Sequence, residues 1–364
     1  LDAVPIFCLI LAYQVMNVLD SSLIQCLHLV LLLLLGKCIV LHDGFMPVAF
    51  MNSYHPPFLL FNKHIETIYP SLIRKVEGVG YIRERITTPD DDFLDLDWMK
   101  QDSKKLIILS HGLEGNSQRS YIKGMANQFY TKGFDVLAWN YRGCSEEINR
   151  TIRFYHSGAT DDLNLVVNHC IAIGYNEINL IGFSLGGNLT LKYLGEKAST
   201  LHPVVKKAVA FSVPLNLHTS CIEISKPSNW VYNKRFLTSL KEKVINKSKK
   251  NSALDTRPLA SVKSLLEFDN LYTAPIHGFK DAIDYYERCS ALRFIESIER
   301  PTLVVNALND PFLRGDCYPS HLNDHPYLKF EYPERGGHVG FALFNQNGLY
   351  WSEIRALQFI QSNQ

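Results

Sequence analysis

The sequence predicts an α/β protein with a mostly parallel central sheet flanked by helices. From Lys104 to Ser212, apolar runs of strand length alternate with helically spaced segments, as in parallel strands joined by crossovers. Within that stretch the apolar run Ile178 to Ile181 passes through Gly182-Phe-Ser-Leu-Gly186 straight into Asn188 to Leu194, whose apolar positions have helical spacing. From Pro214 to about Ile298 the rhythm breaks, and helical periodicity continues without a convincing strand. The sheet resumes at Pro301 to Ala307, so the intervening stretch reads as a helical insertion.

Taken in order, His55 to Pro70 reads as an arm too interrupted by proline for a long element. Tyr81 to Thr87 and Phe93 to Trp98 alternate as two antiparallel strands, with Pro89-Asp-Asp-Asp92 as the turn between them. Lys104 to Ser110 is a continuous apolar strand that runs into His111-Gly-Leu-Glu-Gly115. Helix Tyr121 to Thr131, strand Phe134 to Trp139, the loop Asn140 to Ser145 and a helix begun by residues 155–162 follow. Val204 to Ser212 is the next strand, Tyr327 to Tyr332 the last, and Trp351 to Ile360 a closing amphipathic helix. The expected division is a leader 1–45, a core of 46–213 with 299–364, and a cap, 214–298, above the C-terminal sheet edge. The basic run Lys241 to Lys250 reads as a solvated face.

The chain has 364 residues, 46% hydrophobic and 20% charged, with a formal charge of +1, which fits one large globular domain with an insertion. Balanced charge gives no electrostatic reason to expect nucleic acid. The eight cysteines show no metal-finger spacing and read as reduced, mostly buried thiols; the 13 histidines form no H-E-x-x-H. No metal and no cofactor are expected. Leader 1–45 is different in character: the run Leu23 to Leu41 is long enough to span a bilayer, yet contains Gln25, His28 and Lys37. It reads as a membrane tether, as an apolar helix packed on the domain, or, preferred, as translated sequence upstream of a start near Met46. The expected location is cytoplasmic, with membrane anchoring as the alternative.

A strand that turns sharply into a helix through Gly-x-Ser-x-Gly is the nucleophile elbow of an α/β-hydrolase, with Ser184 projecting at the helix N-terminus. Asp310 and His338 follow, each in a loop just past a predicted strand, at the edge where open α/β sheets gather their catalytic groups. Serine, acid and histidine in this order form a triad. His338 serves Ser184 as general base, and Asp310 fixes the imidazole tautomer. The glycine-rich strand exit at His111-Gly112 supplies half of an oxyanion hole, for which the backbone amides of Leu113 and Leu185 are the candidates. Arg142, His156 and Asp161 read as loop braces.

His111-Gly-Leu-Glu-Gly115 with Tyr121 to Gly124, Asn140-Tyr-Arg-Gly-Cys-Ser145, Tyr155-His-Ser-Gly-Ala159 and Gly182 to Asn188 resemble the YheT-like branch of the α/β-hydrolase superfamily. So do Asn309-Asp-Pro-Phe312 and Gly336 to Phe341, and the resemblance spans about residues 54–360. It implies a carboxylic-ester hydrolase whose charge-relay residues fall on Ser184, Asp310 and His338. Eukaryotic members include esterases and acyltransferases acting on medium-chain esters or lipids, some anchored by an N-terminal helix; the apolar leader has no counterpart in the soluble bacterial members. The expectation is therefore a serine esterase acting on a small-molecule ester or lipid, with membrane contact through residues 23–41 as a further option. An acyltransferase with an alcohol acceptor and a non-catalytic binding module are the alternatives. The insertion, rich in aromatic residues with Trp230, Tyr232, Phe236, Phe268, Tyr272 and Phe279, is expected to wall off the site and supply its apolar lining, with no individual residue assigned to that role.

Overall fold

The computed structural model describes residues 54–362. The expectations for leader 1–45, including the run Leu23 to Leu41, lie outside those residues. Eight strands form one sheet: β1 (Ile82–Thr87), β2 (Phe93–Met99), β3 (Lys105–Ser110), β4 (Asp135–Asn140), β5 (Glu177–Phe183), β6 (Val205–Phe211), β7 (Thr302–Val305) and β8 (Leu328–Glu331). Their order is β1-β2-β4-β3-β5-β6-β7-β8. β2 is antiparallel to both neighbours, and every pairing from β4 to β8 is parallel. The principal helices are α1 (Lys63–Ile73), α2 (Ser120–Tyr130), α3 (Thr160–Ala172), α4 (Leu185–Lys197), α5 (Leu217–Ser225), α6 (Trp230–Ser248), α7 (Ala282–Cys289) and α8 (Trp351–Gln361).

The continuous apolar runs follow from burial on both faces. In β3, Leu106 and Ile108 join one hydrophobic cluster while Ile107 and Leu109 join the other. In β5 the same alternation sends Ile178 and Leu180 one way and Ile181 and Phe183 the other. Leu163 and Val166 of α3 and Leu189 of α4 close the first face; Ile122 and Phe129 of α2 and Trp351 and Phe359 of α8 close the second. This double cladding makes the C-terminal sheet edge a rigid platform for loops.

Between β6 and β7 lie α5, α6, a run of short turns from Arg257 to Ile276, and α7. These elements share a hydrophobic cluster of their own, including Leu237, Val244, Phe268 and Tyr286. They are tied to the sheet by Asn188 of α4. Its side-chain amide donates to the carbonyls of Ser157 and Cys289, and its oxygen accepts from the Ala291 amide.

Two expectations are corrected. The proline-broken arm contains an 11-residue helix, α1, capped by the Asn62 side chain, with Pro70 inside it. Proline lacks the N–H that position would donate to the Glu66 carbonyl. Only three residues of helix follow it, so little of the ladder is lost. The basic run is not a uniformly solvated face. Along α6 the buried positions are Tyr232, Leu237, Leu240, Val244 and Lys247, spaced by three to five, so Lys247 falls on the packed stripe. It is 1% exposed and donates to the Asn149 side chain and to the carbonyls of Thr151 and Arg153. Lys243, on the flank of the same stripe, reaches Glu114.

Candidate active site

Ser184 occupies the turn between β5 and α4 with φ 53° and ψ −119°, a conformation that non-glycine residues rarely adopt. Two close approaches hold it there. A Cβ on Gly182 would lie 2.3 Å from the Gly186 carbonyl oxygen, and one on Gly186 would lie 2.3 Å from that of Ser110. A side chain at Gly186 would push the turn away from β3, and one at Gly182 would force the end of β5 away from the first turn of α4. Ser184 donates its own amide to the Phe211 carbonyl at 2.9 Å, which fixes the turn against β6.

The structure brings the three separated residues together. Ser184 Oγ lies 2.9 Å from His338 Nε2, and His338 Nδ1 lies 2.8 Å from Asp310 Oδ2. Asp310 is fully buried, and its other oxygen accepts the Phe312 amide at 2.8 Å. The Phe312 ring packs against the imidazole, centroids 4.4 Å apart.

The backbone around His338 is held by side chains, an arrangement with no signal in the sequence motif itself. Four successive amides each find a side-chain oxygen. Gly336 donates to Glu66 at 2.8 Å, Gly337 to Asn309 at 3.0 Å, His338 to Thr67 at 2.9 Å and Val339 to Ser212 at 2.9 Å. Glu66, 1% exposed, also accepts from the Asn309 side chain and ion-pairs Arg335 at 2.5 Å. Glu66 and Thr67 belong to α1, the helix missed as an arm. The only sequence cue for it was Asn62, a capping residue ahead of the helix.

Facing Ser184 across the elbow is the loop after β3. A Cβ on Gly112 would sit 3.3 Å from Ser184 Cβ. His111 is buried, which pushes its imidazole pKa down to about 3 and keeps it neutral. One ring nitrogen therefore donates to the Gly112 carbonyl at 2.8 Å, and the other accepts the Tyr141 amide at 3.3 Å. The amides on either side of Leu113 are tied, Gly112 to the Tyr121 hydroxyl and Glu114 to that of Tyr155. Leu185 is the first residue of α4, where an amide has no acceptor within the helix. The positive end of that helix lies beside Ser184.

The Glu114 side chain accepts from the Tyr155 hydroxyl at 2.7 Å and pairs with Lys243 at 2.7 Å, and Lys243 also donates to Cys144 Sγ at 3.1 Å. Arg142, fully buried, bridges Asp162, Asp90 and Asp92, so it ties β-turn 88–92 to α3. His156 packs edge-to-face against Phe279 and Tyr285 and tilted against His277, whereas Asp161 pairs with Arg153 at the surface.

Two cavities meet at Ser184. One runs under the α5–α7 region and is mostly apolar, with Leu185, Leu217, Ile224, Phe236, Leu265 and Phe312 among its walls. The other opens to solvent and includes His338, Thr67, Tyr121, Arg74, Arg119 and Arg235. Leu113 and Phe236 border both. Of the six aromatic residues named for the insertion, Tyr232 and Phe236 line the site. Trp230 is 59% exposed, while Phe268 and Tyr272 pack within the helical region's own core, with Phe279 against it. No group of metal-ligating side chains occurs among the described residues.

A doubly clad parallel sheet with a serine elbow at its edge defines an α/β-hydrolase. The profile of the alpha/beta hydrolase fold matches residues 105–316, and the chain belongs to that family. It is 34% identical over 291 residues to YheT of Escherichia coli (strain K12), named as a candidate esterase, covering 77% of this chain and 84% of the relative. Phospholipase ABHD3 of Bos taurus is 29% identical over 326 residues, 85% of this chain and 79% of the relative. Among solved structures, the Pyrococcus furiosus esterase Pf2001 is similar in fold, with a TM-score of 0.53 at 16% identity, covering 88% of this chain and 98% of that one.

Proposed function

We propose that the protein is a serine carboxylic-ester hydrolase with Ser184, His338 and Asp310 as its charge relay. The observation that carries this reading is the unbroken line from Ser184 Oγ through His338 to buried Asp310, at 2.9 and 2.8 Å. Ser184 Oγ attacks the ester carbonyl while its proton passes to His338 Nε2. The Asp310 carboxylate, accepting at Nδ1, stabilises the imidazolium. The amides of Leu113 and Leu185 receive the oxyanion, at the positive end of α4. Collapse breaks the bond to the alcohol, which takes its proton from His338. Water, deprotonated by the same histidine, then releases the acid and regenerates Ser184.

The alcohol must leave beside the group that protonates it. His338 borders the open cavity and not the apolar one, so the alcohol faces Arg119 and Arg235, and the acyl chain enters the apolar cavity beside Leu185. That cavity suits short- to medium-chain acyl groups, and residues 214–298 act as the cap that forms it. The likeness to an enzyme named as a phospholipase supports ester or lipid substrates. The five described cysteines are free and buried, which supports a cytoplasmic site of action.

The decisive experiment is covalent labelling by a fluorophosphonate, with mass spectrometry of the labelled peptide and ester turnover measured in parallel. Label is expected on Ser184, and Ser184→Ala is expected to lose both label and turnover. Labelling of Ser184→Ala at wild-type stoichiometry would sink the assignment.

A further inference from the structure

The open cavity holds three arginines, and they are not equivalent. Arg74 is neutralised: its guanidinium makes a two-pronged contact with Glu353, at 2.5 and 2.9 Å, and donates to the Gly348 carbonyl. The cavity's carboxylate, Glu114, is likewise committed, to Lys243 and Tyr155. Arg119 and Arg235 have no such compensation. Arg119 donates to the Glu114 backbone carbonyl at 2.7 Å, which orients the guanidinium but leaves its charge unpaired. Arg235 projects from α6, on the cap side, and among the described residues neither forms an ion pair. Both line the cavity together with Tyr121, whose hydroxyl holds the Gly112 amide in the loop that faces Ser184. Partial burial and then the Arg119 cation pull the Arg235 guanidinium below its ordinary value. Two like charges crowded into one cavity are unfavourable until an anion enters between them.

We infer that Arg119 and Arg235 form an anion subsite for the alcohol portion of the substrate, so that the preferred ester carries a phosphate or carboxylate on its leaving group. The inference rests on the serine-hydrolase reading and on the exit of the alcohol past His338. Guanidinium groups match both anions through paired N–H donors, and a site that opens to water on one side lets the released anionic alcohol depart. The apolar cavity, which receives neither arginine, is then left to the acyl chain.

The test compares kcat/KM of the full chain for three octanoyl esters: neutral 1-octanoylglycerol, 1-octanoylglycerol 3-phosphate and O-octanoyl glycolate. At least one anionic ester is expected to exceed the neutral one by about tenfold at low salt, and the advantage should shrink at 0.5 M salt. Whichever anion is favoured identifies the group. In Arg235→Gln the anionic-to-neutral ratio should fall by about tenfold, and Arg235→Lys should restore part of it. A ratio near one in the wild type, or a ratio unchanged in Arg235→Gln, overturns the subsite. A neutral fluorophosphonate separates the two levels of failure. Labelled Ser184 with no anion preference defeats this inference alone, whereas an unlabelled Ser184 defeats the hydrolase reading beneath it.

Discussion

Replacing Lys243 by methionine tests whether α6 governs the loop that faces the nucleophile. The pair Lys243–Glu114 is 2.7 Å long, with both side chains only 10% exposed. At an effective dielectric of about 20 its attraction is roughly 6 kcal/mol, most of it offset by desolvation. Loss of the cation leaves Glu114 buried and unpaired, for which about 3–5 kcal/mol is typical. The Tyr155 hydroxyl still donates to the carboxylate, which favours the lower end, about 3 kcal/mol, or a fall in Tm of roughly 6–12 °C. Part of that loss should appear in catalysis. Glu114 has a φ of 52° and follows Leu113, so a shifted Glu114 moves the Leu113 amide. Up to about 10²-fold in kcat is at stake, with KM changed far less. Burial opposes the charge on Lys243, but Cys144 and Glu114 outweigh it and raise its pKa. A raised lysine contributes in full below the unfolded value and loses its contribution only as pH rises through the folded one, so the effect should be constant from pH 6 to 9. The assays are thermal unfolding and steady-state ester hydrolysis. The double variant Lys243→Met/Glu114→Gln should recover most of the stability, because no uncompensated charge remains. Strictly additive losses in the double variant, or a Lys243→Met protein with wild-type Tm and kcat, would refute the coupling.

Thr67→Val removes the acceptor of the His338 amide without changing volume, and should lower kcat by about tenfold with KM nearly unchanged, read by steady-state kinetics. Phe236 borders both cavities, so Phe236→Ala should flatten the rise of kcat/KM with acyl length. That rise is otherwise close to fourfold per methylene, or about 0.8 kcal/mol, until the cavity is full, measured on acetyl to decanoyl esters. Burial raises the Asp269 carboxyl to about 6, against the hydrogen bonds it accepts from Thr273 and Tyr286. Its folded form therefore holds a proton that the unfolded form has lost between about pH 4 and 6. Stability through this group should fall as pH rises across that window and level off above it, a slope that Asp269→Asn should erase in denaturant titrations.

The sheet was legible because strands buried on both faces must be continuously apolar, as β3, β5 and β7 are. The order of Ser184, Asp310 and His338 was legible for a related reason: strand ends at one edge of a parallel sheet converge whatever lies between them. Residues whose partners are remote in sequence left no trace. Glu66 and Thr67 look like any polar pair in a segment that ends in proline, and only the approach of Gly336 and His338 gives them work. Lys243 and Lys247 were hidden by composition, since five lysines in ten residues suggest solvent. Their spacing from Leu240 and Val244 placed them on or beside the buried stripe. The aromatic residues between β6 and β7 could not be assigned one by one for the converse reason. A region large enough to have its own core spends many of its rings on that core, and Tyr232, Phe236, Tyr285 and Tyr286 are the ones that reach the cavities.

The four tethered amides from Gly336 to Val339 bear on where this protein can be cut. Residues 105–316, matched by the family profile, contain Ser184 and Asp310 but neither His338 nor α1. Extension to the C-terminus restores His338, yet the oxygens that hold Gly336 and His338 still come from Glu66 and Thr67. A chain trimmed to begin at β1 would keep every strand together with Ser184, Asp310 and His338. Its histidine would then hang from a segment anchored at two amides instead of four. A chain so trimmed should turn over slowly even where its sheet is intact, so the strands are a poor guide to where the enzyme begins.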